Sequence, residues 1–186
     1  MNDDKKLEKL AKQIRVCIRC ELHRSRTEAV PGDGPTHAEI MLIGEGPGAN
    51  EDKQGRPFVG ASGKFLDQLL EQAGVTRSDV WITNVVKCRP PNNRDPEPEE
   101  AAKCSPYLQR QIALIKPKLI VAMGRHAAQT LLGTDASIAK LRGRVFQYSG
   151  VPLIVTYHPA YLLRNLPDKS KAWEDLLFAR KTIGAA

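Results

Sequence analysis

The sequence lacks the features of an exported or membrane-embedded protein. Residues 1–12 are polar and charged and are not followed by the apolar segment of a secretory signal. No apolar run approaches the roughly 18 residues of a membrane span. We therefore expect a cytoplasmic protein that has no membrane partner and keeps its thiols reduced. A length of 186 residues with 41% hydrophobic content predicts one domain, residues 1–186, with one core, and we expect a monomer.

Cysteine is scarce, and the four that occur form two pairs of different kinds. Two residues separate Cys17 from Cys20, whereas fifteen separate Cys88 from Cys104. Four thiolates complete the ligand set of one metal centre, but a zinc ribbon or finger usually closes with a second tight pair, and no histidine lies at a finger-like distance. A [4Fe-4S] cluster accepts widely spaced ligands. The spacing favours this cluster over zinc, leaves plain buried thiols open, and makes a disulfide framework the weakest interpretation.

Basic residues outnumber acidic residues by 28 to 21, which gives a net charge of +7 and a pI near 9.3. Such a charge draws a protein towards polyanions. The basic residues include three local groups: Arg15, Arg19, Arg24 and Arg26; Arg89 and Arg94; and Lys140, Arg142 and Arg144. A solvated surface would explain any one group equally well, but together they favour nucleic acid as the partner.

The pattern of apolar residues alternates between strands and helices. It predicts strands at Ile40–Ile43, Val80–Val86, Leu119–Met123 and Val151–Tyr157. It predicts helices around Leu7–Ile14, at about Glu99–Ile115, at His126–Leu132 and around Trp173–Thr182. A further helix is predicted to begin with Ser62 as its N-cap. Short strands separated by helices indicate an α/β fold, a three-layer α/β/α sandwich with a central four-stranded parallel sheet.

Three polar motifs follow the predicted strands, where ligands bind in an open α/β sheet. Gly44–Gly48 follows the first strand, Asn84 lies at the end of the second, and His158–Ala160 follows the fourth. Each alone could be a turn, an amide that satisfies the backbone or a packed loop histidine, but their shared edge favours a binding site. The glycine turn lacks the G-K-[ST] of a phosphate loop, and Ala49 stands where G-x-G-x-x-G needs glycine.

Five segments together resemble the family 4 uracil-DNA glycosylases, and the resemblance extends from Leu7 to Leu177. The segments are Gly44–Gly48 with Glu51-Asp52, Gly55–Gly60, Thr83-Asn84, Lys87–Pro90 and His158–Leu163. The resemblance implies a DNA repair enzyme that acts on single- or double-stranded DNA. Such an enzyme flips uracil out of the DNA and hydrolyses its N-glycosidic bond, which leaves an abasic site.

The same resemblance makes Cys17, Cys20, Cys88 and Cys104 the ligands of a [4Fe-4S] cluster. A related branch that is trapped covalently on uracil DNA has a basic insertion after the strand that carries asparagine, and it lacks the cysteine after the lysine. This chain has Cys88 and the loop Pro90–Pro98 instead. It therefore resembles the enzymes that turn over.

The chemistry of uracil release gives roles to two side chains. Breaking the C1′–N1 bond leaves a cationic sugar and an anionic base, so the enzyme must stabilise negative charge on uracil O2. A neutral His158 ring is the predicted N–H donor. The amide of Asn84 can accept a hydrogen bond from N3–H of uracil and donate one to its O4. Cytosine presents a ring acceptor and an exocyclic donor at these two positions, so it is mismatched at both.

Further uracil-binding residues come from the resemblance. It implies that Phe58 stacks on the flipped base, that backbone around Glu45 and Gly46 contacts it, and that Glu51 lies beside C5, where the methyl group of thymine would clash. Glu45 is the third predicted catalytic residue, which positions water or balances the cationic sugar. The best-known glycosylases carry aspartate where this chain has Gly46, so the resemblance assigns no general base.

A flipped nucleotide leaves a gap in the base stack that a side chain can fill. Leu162 is the predicted wedge, with Arg164 on a phosphate, and ordinary packing of Leu162 and Leu163 is the alternative. Two other functions stay open at this point. The chain could be a non-enzymatic iron–sulfur or zinc module that binds nucleic acid, or a nucleotide-binding α/β protein with a redox cluster.

Overall fold

A five-stranded sheet forms the centre of the protein. The structure is a computed structural model and describes residues 2–184. The strands are β1 (Ile40–Gly44), β2 (Val80–Asn84), β3 (Leu119–Met123), β4 (Phe146–Tyr148) and β5 (Val151–Thr156). Their spatial order is β2-β1-β3-β5-β4, and all neighbouring strands are parallel except β4, which pairs antiparallel with β5.

Helices connect the strands and cover the sheet. Within residues 2–184 they are α1 (Asp3–Arg15), α2 (Ala49–Gln54), α3 (Ala61–Gln72), α4 (Pro98–Ile115), α5 (Arg125–Leu132), α6 (Ile138–Leu141), α7 (Pro159–Arg164) and α8 (Lys169–Thr182). None of the helices in this range combines the length and the apolar composition that crossing a bilayer requires.

The sheet has an apolar core on each face, because successive residues of a strand point to opposite sides. Met41 and Ile43 of β1 belong to the core that α1, α4 and α5 cover. Ile40 and Leu42 belong to the opposite core, which α3 and α8 cover. Strands that are buried on both faces appear in the sequence as continuous apolar runs, which is why the parallel strands could be predicted.

The α/β sandwich is confirmed, but the sheet has five strands and not the predicted four. The additional strand, β4, has three residues and lies at the edge of the sheet, where it is partly exposed. It turns back onto β5 through Ser149 and Gly150, which both have positive φ. A short, half-exposed edge strand leaves no continuous apolar run in the sequence, so the pattern did not reveal it.

Several predicted boundaries were wrong, and two of them concern residues near the predicted site. Strand β2 ends at Asn84 and not at Val86. Helix α3 begins at Ala61 after Gly60, so Ser62 lies inside the helix and does not cap it. Both differences fall beside the carboxyl edge of the sheet.

Candidate active site

A cavity of about 810 Å³ opens at the carboxyl edge of the sheet. Its lining contains most of the predicted site: Glu45, Gly46, Glu51, Phe58, Asn84, His158 and Arg164. The volume lies within the range of about 300–1,000 Å³ that is usual for small-molecule sites. The topology thus brings together three motifs that are separated by up to 114 residues in the chain.

Asn84, the last residue of β2, carries a buried acceptor that faces this cavity. The residue is 1% exposed, and its Oδ1 atom has no hydrogen-bond partner within the described chain. Leaving such an atom unpaired costs about 1–3 kcal/mol, so an unpaired buried acceptor in a cavity indicates a ligand that donates to it. Gly44 lies opposite Asn84 in the sheet, and a Cβ atom there would lie 2.6 Å from Oδ1. Glycine at position 44 therefore leaves room for the amide.

His158 presents an N–H donor to the same cavity. It is the N-cap of α7, and its Nδ1 atom accepts a hydrogen bond of 3.0 Å from the backbone N–H of Ala160. The proton of the neutral ring is therefore on Nε2. Burial, with a smaller contribution from Arg164, lowers the pKa of His158 to about 4, and Glu51 opposes the shift. A ring with this pKa is neutral at pH 7.

Phe58 supplies an aromatic wall next to His158. The two ring centroids are 5.6 Å apart, with an angle of 34° between the planes. Phe58 is buried and has a φ of 50°, and Arg77 donates hydrogen bonds to the carbonyl oxygens of Phe58 and Pro57. A Cβ atom at Gly44 would lie 2.9 Å from the Phe58 ring. This wall suits a flat ligand such as a nucleobase.

Glu51 holds the segment that follows Phe58. Its carboxylate accepts hydrogen bonds from the backbone N–H groups of Gly48 at 3.1 Å, Val59 at 2.8 Å and Gly60 at 3.0 Å. The side chain is buried and also lines the cavity. Sequence reasoning gave Glu51 a contact with the base only, and the structure adds this role in shaping the wall.

Glu45 meets an acidic partner that the sequence did not suggest. Asp95, which lies in the loop before α4, is near enough to raise the pKa of the Glu45 carboxyl group. Asp95 in turn accepts from Arg125 at 2.8 Å. Burial is the largest cause that raises the pKa of Glu45 to about 8, followed by the contact with Asp95, while Arg125 lowers it. All three residues line the cavity.

Lys87 is a second residue that sequence reasoning missed. The residue is 1% exposed, and its ammonium group donates to Thr83 Oγ1 at 2.6 Å, to the carbonyl oxygen of Asn84 at 2.9 Å and to Gln111 Oε1 at 2.8 Å. These bonds fix the end of β2 against α4. The only signal in the sequence was a single lysine directly after the apolar residues Val85-Val86.

The four cysteines line a second cavity, on the α1 side of the sheet. None of them forms a disulfide. The guanidinium group of Arg26 donates to Cys88 Sγ at 3.4 Å and to the carbonyl oxygen of Cys17 at 2.6 Å. Within residues 2–184, no three His, Cys, Asp or Glu side chains converge closely enough to bind one metal ion.

Leu162 lies in the wrong place for the wedge that was predicted. It is 0% exposed and packs in the core beneath α3 and α8, so it cannot enter a base stack without leaving that core. Leu163 is 41% exposed. On a helix, Leu163 lies on the same side as the cavity-lining residues Ala160 and Arg164, while Leu162 points away from them. The predicted alternative of core packing applies to Leu162.

Some of the basic residues have partners within the fold. Arg94 forms two hydrogen bonds with Glu100, at 2.8 and 2.9 Å. Arg142 pairs with the buried Asp175 at 2.9 Å. The local groups of basic residues therefore do not all belong to an interface with a polyanion, and Arg164, which lines the cavity, is better placed for one.

Sequence comparison finds known proteins that match most of the chain. The sequence profile of the Uracil DNA glycosylase superfamily matches residues 31–177. The chain is 52% identical over 178 residues to a type-4 uracil-DNA glycosylase of Sulfurisphaera tokodaii, covering 91% of this chain and 80% of that protein. It is 47% identical over 181 residues to the type-4 enzyme of Thermotoga maritima, covering 95% and 94%. A type-5 uracil-DNA glycosylase of Pyrobaculum aerophilum is 34% identical over 154 residues, covering 73% and 67%.

Proposed function

The chain belongs to the type-4 uracil-DNA glycosylases, and we propose that it removes uracil from DNA with the side chains that meet at the carboxyl edge of its sheet. One observation carries this assignment of roles. The buried, unpartnered Oδ1 atom of Asn84 and the neutral ring of His158 line the same cavity. They offer the acceptor and the donor that the imide edge of uracil requires.

His158 acts on the leaving group. As the C1′–N1 bond breaks, its electron pair moves onto uracil and negative charge grows on O2, while water adds to C1′ of the cationic sugar and loses a proton to solvent. The Nε2–H of a neutral ring donates to that oxygen without giving up its proton. Because Ala160 N–H holds Nδ1 at 3.0 Å, the ring is oriented before the substrate arrives. Donors that need no reorganisation contribute most when charge develops.

Asn84, Phe58 and Glu51 choose the base. The amide of Asn84 accepts from N3–H and donates to O4, so cytosine is mismatched at both positions. Phe58 stacks on the flipped ring. The carboxylate of Glu51 holds Val59 and Gly60 in place, and its contact with C5, which would exclude the methyl group of thymine, stays a prediction.

A direct assay tests the function. The protein is incubated with an oligonucleotide that contains one uracil, and abasic sites are then cleaved with alkali. We expect cleavage at the uracil and none in matched oligonucleotides with cytosine or thymine at the same position. DNA binding without base release would instead indicate a non-enzymatic nucleic-acid-binding module.

Leu163 replaces Leu162 as the proposed wedge. We expect Leu163→Ala to slow uracil release from duplex DNA about tenfold more than from single-stranded DNA, because an unpaired base needs less help to leave the stack. Single-turnover rates on the two substrates measure the difference. Equal losses on both substrates would contradict this role.

Leu162→Ala and Leu166→Ala serve as matched controls. Leu162→Ala opens a cavity in the core and should lower the free energy of unfolding by about 2–5 kcal/mol, with the same relative rates on both substrates. Leu166 is 59% exposed, and its replacement should affect neither rates nor stability by much. Arg164, next to Leu163, is the proposed contact with a phosphate.

The cysteines suit a [4Fe-4S] cluster better than a single metal ion. In such a cluster each thiolate binds a different iron, so the four sulfurs surround a cavity and do not converge on one point. Cys17, Cys20, Cys88 and Cys104 line one cavity, and the Arg26 guanidinium donates a hydrogen bond to Cys88 Sγ at 3.4 Å. When bound, the cluster would supply cross-links between the segment after α1 and the segments around β2 and α4. With all four irons ligated by protein, the cluster would have a structural role.

The cluster gives a prediction that does not depend on activity. The purified protein should be brown, with about four irons per chain and absorbance near 400 nm. Cys104→Ser should lose iron and lower the midpoint of thermal unfolding by more than about 10 °C. Such a centre contributes several kcal/mol to stability, and each kcal/mol that is lost lowers the midpoint by about 2–4 °C at this chain length. A colourless protein with stoichiometric zinc after anaerobic purification would contradict the proposal.

The remaining partners follow from this function. Uracil-containing DNA, single- or double-stranded, is the proposed substrate. That the chain acts as a single domain, as a monomer and in the cytoplasm stays a prediction.

A further inference from the structure

Lys87 is a buried charged residue next to the active site that the reaction described above does not use. It is 1% exposed, and its three N–H donors have three acceptors: Thr83 Oγ1 at 2.6 Å, the carbonyl oxygen of Asn84 at 2.9 Å and Gln111 Oε1 at 2.8 Å. A buried ammonium group is costly unless it is fully hydrogen-bonded, and this one is. One of its three acceptors belongs to the residue that is proposed to select uracil.

We propose that Lys87 is a positioning residue for uracil recognition: its ammonium group fixes the backbone at the end of β2 and thereby aims the amide of Asn84 at the base. Lys87 does not line the active-site cavity, so it acts through Asn84 and touches no substrate. This inference rests on the proposed function, because it concerns how Asn84 binds the imide edge of uracil.

The position of β2 in the sheet explains why Asn84 needs this support. Strand β2 lies at one edge of the sheet, so the backbone groups on its outer side have no neighbouring strand. Ile82 exchanges two backbone hydrogen bonds with Asp33 on this side, at 3.0 and 2.8 Å, in an isolated bridge. Two residues further along, the carbonyl oxygen of Asn84 accepts from Lys87 instead. Lys87 thus takes the place of a neighbouring strand at the residue where the site begins.

The other bonds of Lys87 hold its ammonium group in one place. Thr83 and Gln111 accept from Lys87, and both donate to the carbonyl oxygen of Pro31, each at 2.8 Å. The carbonyl oxygen of Lys87 also accepts from the backbone N–H of Val30 at 2.7 Å. The ammonium group is therefore tied both to α4 and to the segment that contains Pro31, and its displacement would disturb several hydrogen bonds at once.

The amide of Asn84 depends on this backbone for its orientation. Its Oδ1 atom has no hydrogen-bond partner within residues 2–184, so no bond to this atom holds the side chain before uracil binds. The space beside the amide is narrow, since a Cβ atom at Gly44 would lie 2.6 Å from Oδ1. A shift of the backbone at Asn84 moves its side chain as well, and a misplacement of about 1 Å in a site can lower a rate by about 10².

The test is a double-mutant cycle between Lys87 and Asn84, measured as single-turnover uracil release. Lys87→Met keeps a long side chain but removes its donors, and we expect it to lower the rate by about 10². Asn84→Ala keeps the backbone carbonyl that Lys87 binds but removes the amide that it aims. In the Asn84→Ala background, Lys87→Met should therefore change the rate by no more than about twofold. Equal factors in both backgrounds would show that Lys87 only supports the fold and would overturn the proposal.

Gln111→Met is the matched control, because it breaks the same network but keeps the bond from Lys87 to Asn84. Both single variants leave buried polar groups unpaired and should lower the midpoint of thermal unfolding by about 5 °C or more. The rate per folded molecule should fall by about 10² in Lys87→Met and by less than about threefold in Gln111→Met. Rates that follow thermal stability alike in the two variants would contradict the proposal.

A double variant replaces Lys87→Met in these comparisons if that protein folds poorly. Lys87→Met/Gln111→Met exchanges both partners of one hydrogen bond for apolar side chains, which costs less stability than leaving one partner unpaired. It lacks the bond to Asn84 and should lose as much activity as is expected for Lys87→Met, so retained activity would overturn the proposal. Iron per chain is measured in every variant, since Cys88 follows Lys87. A loss of iron that matches the loss of rate would trace the defect to the cysteines and would also overturn it.

Binding to DNA that cannot react separates this inference from the proposed function. An oligonucleotide with 2′-fluoro-2′-deoxyuridine resists hydrolysis because fluorine destabilises the cationic sugar, and a matched oligonucleotide carries the cytosine analogue. We expect the parent to prefer the uracil oligonucleotide, and Lys87→Met to reduce this preference about tenfold, as Asn84→Ala does. A Lys87→Met protein that keeps the preference of the parent would contradict the positioning role. A parent that shows the preference but releases no uracil would contradict the proposed function and not the role of Lys87.

Discussion

His158→Ala should lower the single-turnover rate of uracil release by about 10²–10³, while binding to uracil DNA changes little. The ring donates to an oxygen that becomes strongly negative only as the bond breaks, so its loss raises the transition state more than the bound state. Because burial lowers the pKa of His158 to about 4, the parent enzyme keeps this neutral donor throughout the neutral pH range. Rapid-quench kinetics with excess enzyme, together with DNA binding by anisotropy, separate the two effects.

Two further variants control this experiment. His158→Gln retains an N–H donor on a side chain of different shape and should recover part of the rate. His37, which pairs with Asp3 of α1 and does not line the cavity, should tolerate replacement by alanine. A His158→Ala protein that cleaves at the parent rate would refute the assigned mechanism.

Asn84→Asp should lower uracil release by at least about 10³, because a carboxylate cannot donate to O4 and repels the anionic base. The replacement conserves size, so the packing around the end of β2 should survive, and the bond from Lys87 to the backbone carbonyl of residue 84 is retained. Single-turnover rates on uracil and on cytosine substrates measure the change in rate and in selectivity.

Asn84→Ala separates the two causes of that loss. It removes the hydrogen bonds but adds no charge, so it should lose less activity than Asn84→Asp. Unchanged rates in both variants would remove Asn84 from the site. A loss of folded protein, measured by circular dichroism, would instead trace the defect to the core.

Much of the fold could be predicted from the sequence, because the central strands are buried on both faces. Leu119–Met123 forms an uninterrupted apolar run, and its predicted bounds match β3. The edge strand β4 is partly exposed to solvent, so its residues form no continuous apolar run that the sequence could reveal. The short helices α6 and α7 were also missed, because four to six residues are too few to show a helical period.

Among the predicted site residues, those at strand ends could be placed together from the sequence. Asn84 ends β2 and His158 follows β5, and parallel topology brings both to one edge of the sheet. Leu162 failed because two adjacent leucines on one helix differ only in direction, which depends on how α7 packs. Asp95 and Arg125 gave no signal, since their contact depends on how a loop and a distant helix dock.

The sequence by itself determined the composition of the site: the four thiols, the asparagine at the end of β2, the histidine before α7 and the glycines that let side chains approach one another. These depend on residue type and on local periodicity, which a chain carries before it folds. Only the tertiary structure decided the protonation of the site. Burial lowers the pKa of His158 and raises that of Glu45, and neighbours distant in sequence, Glu51 and Asp95, also act on them. Solvation and Coulomb energies depend on distances in space, and these exist only once the chain has packed.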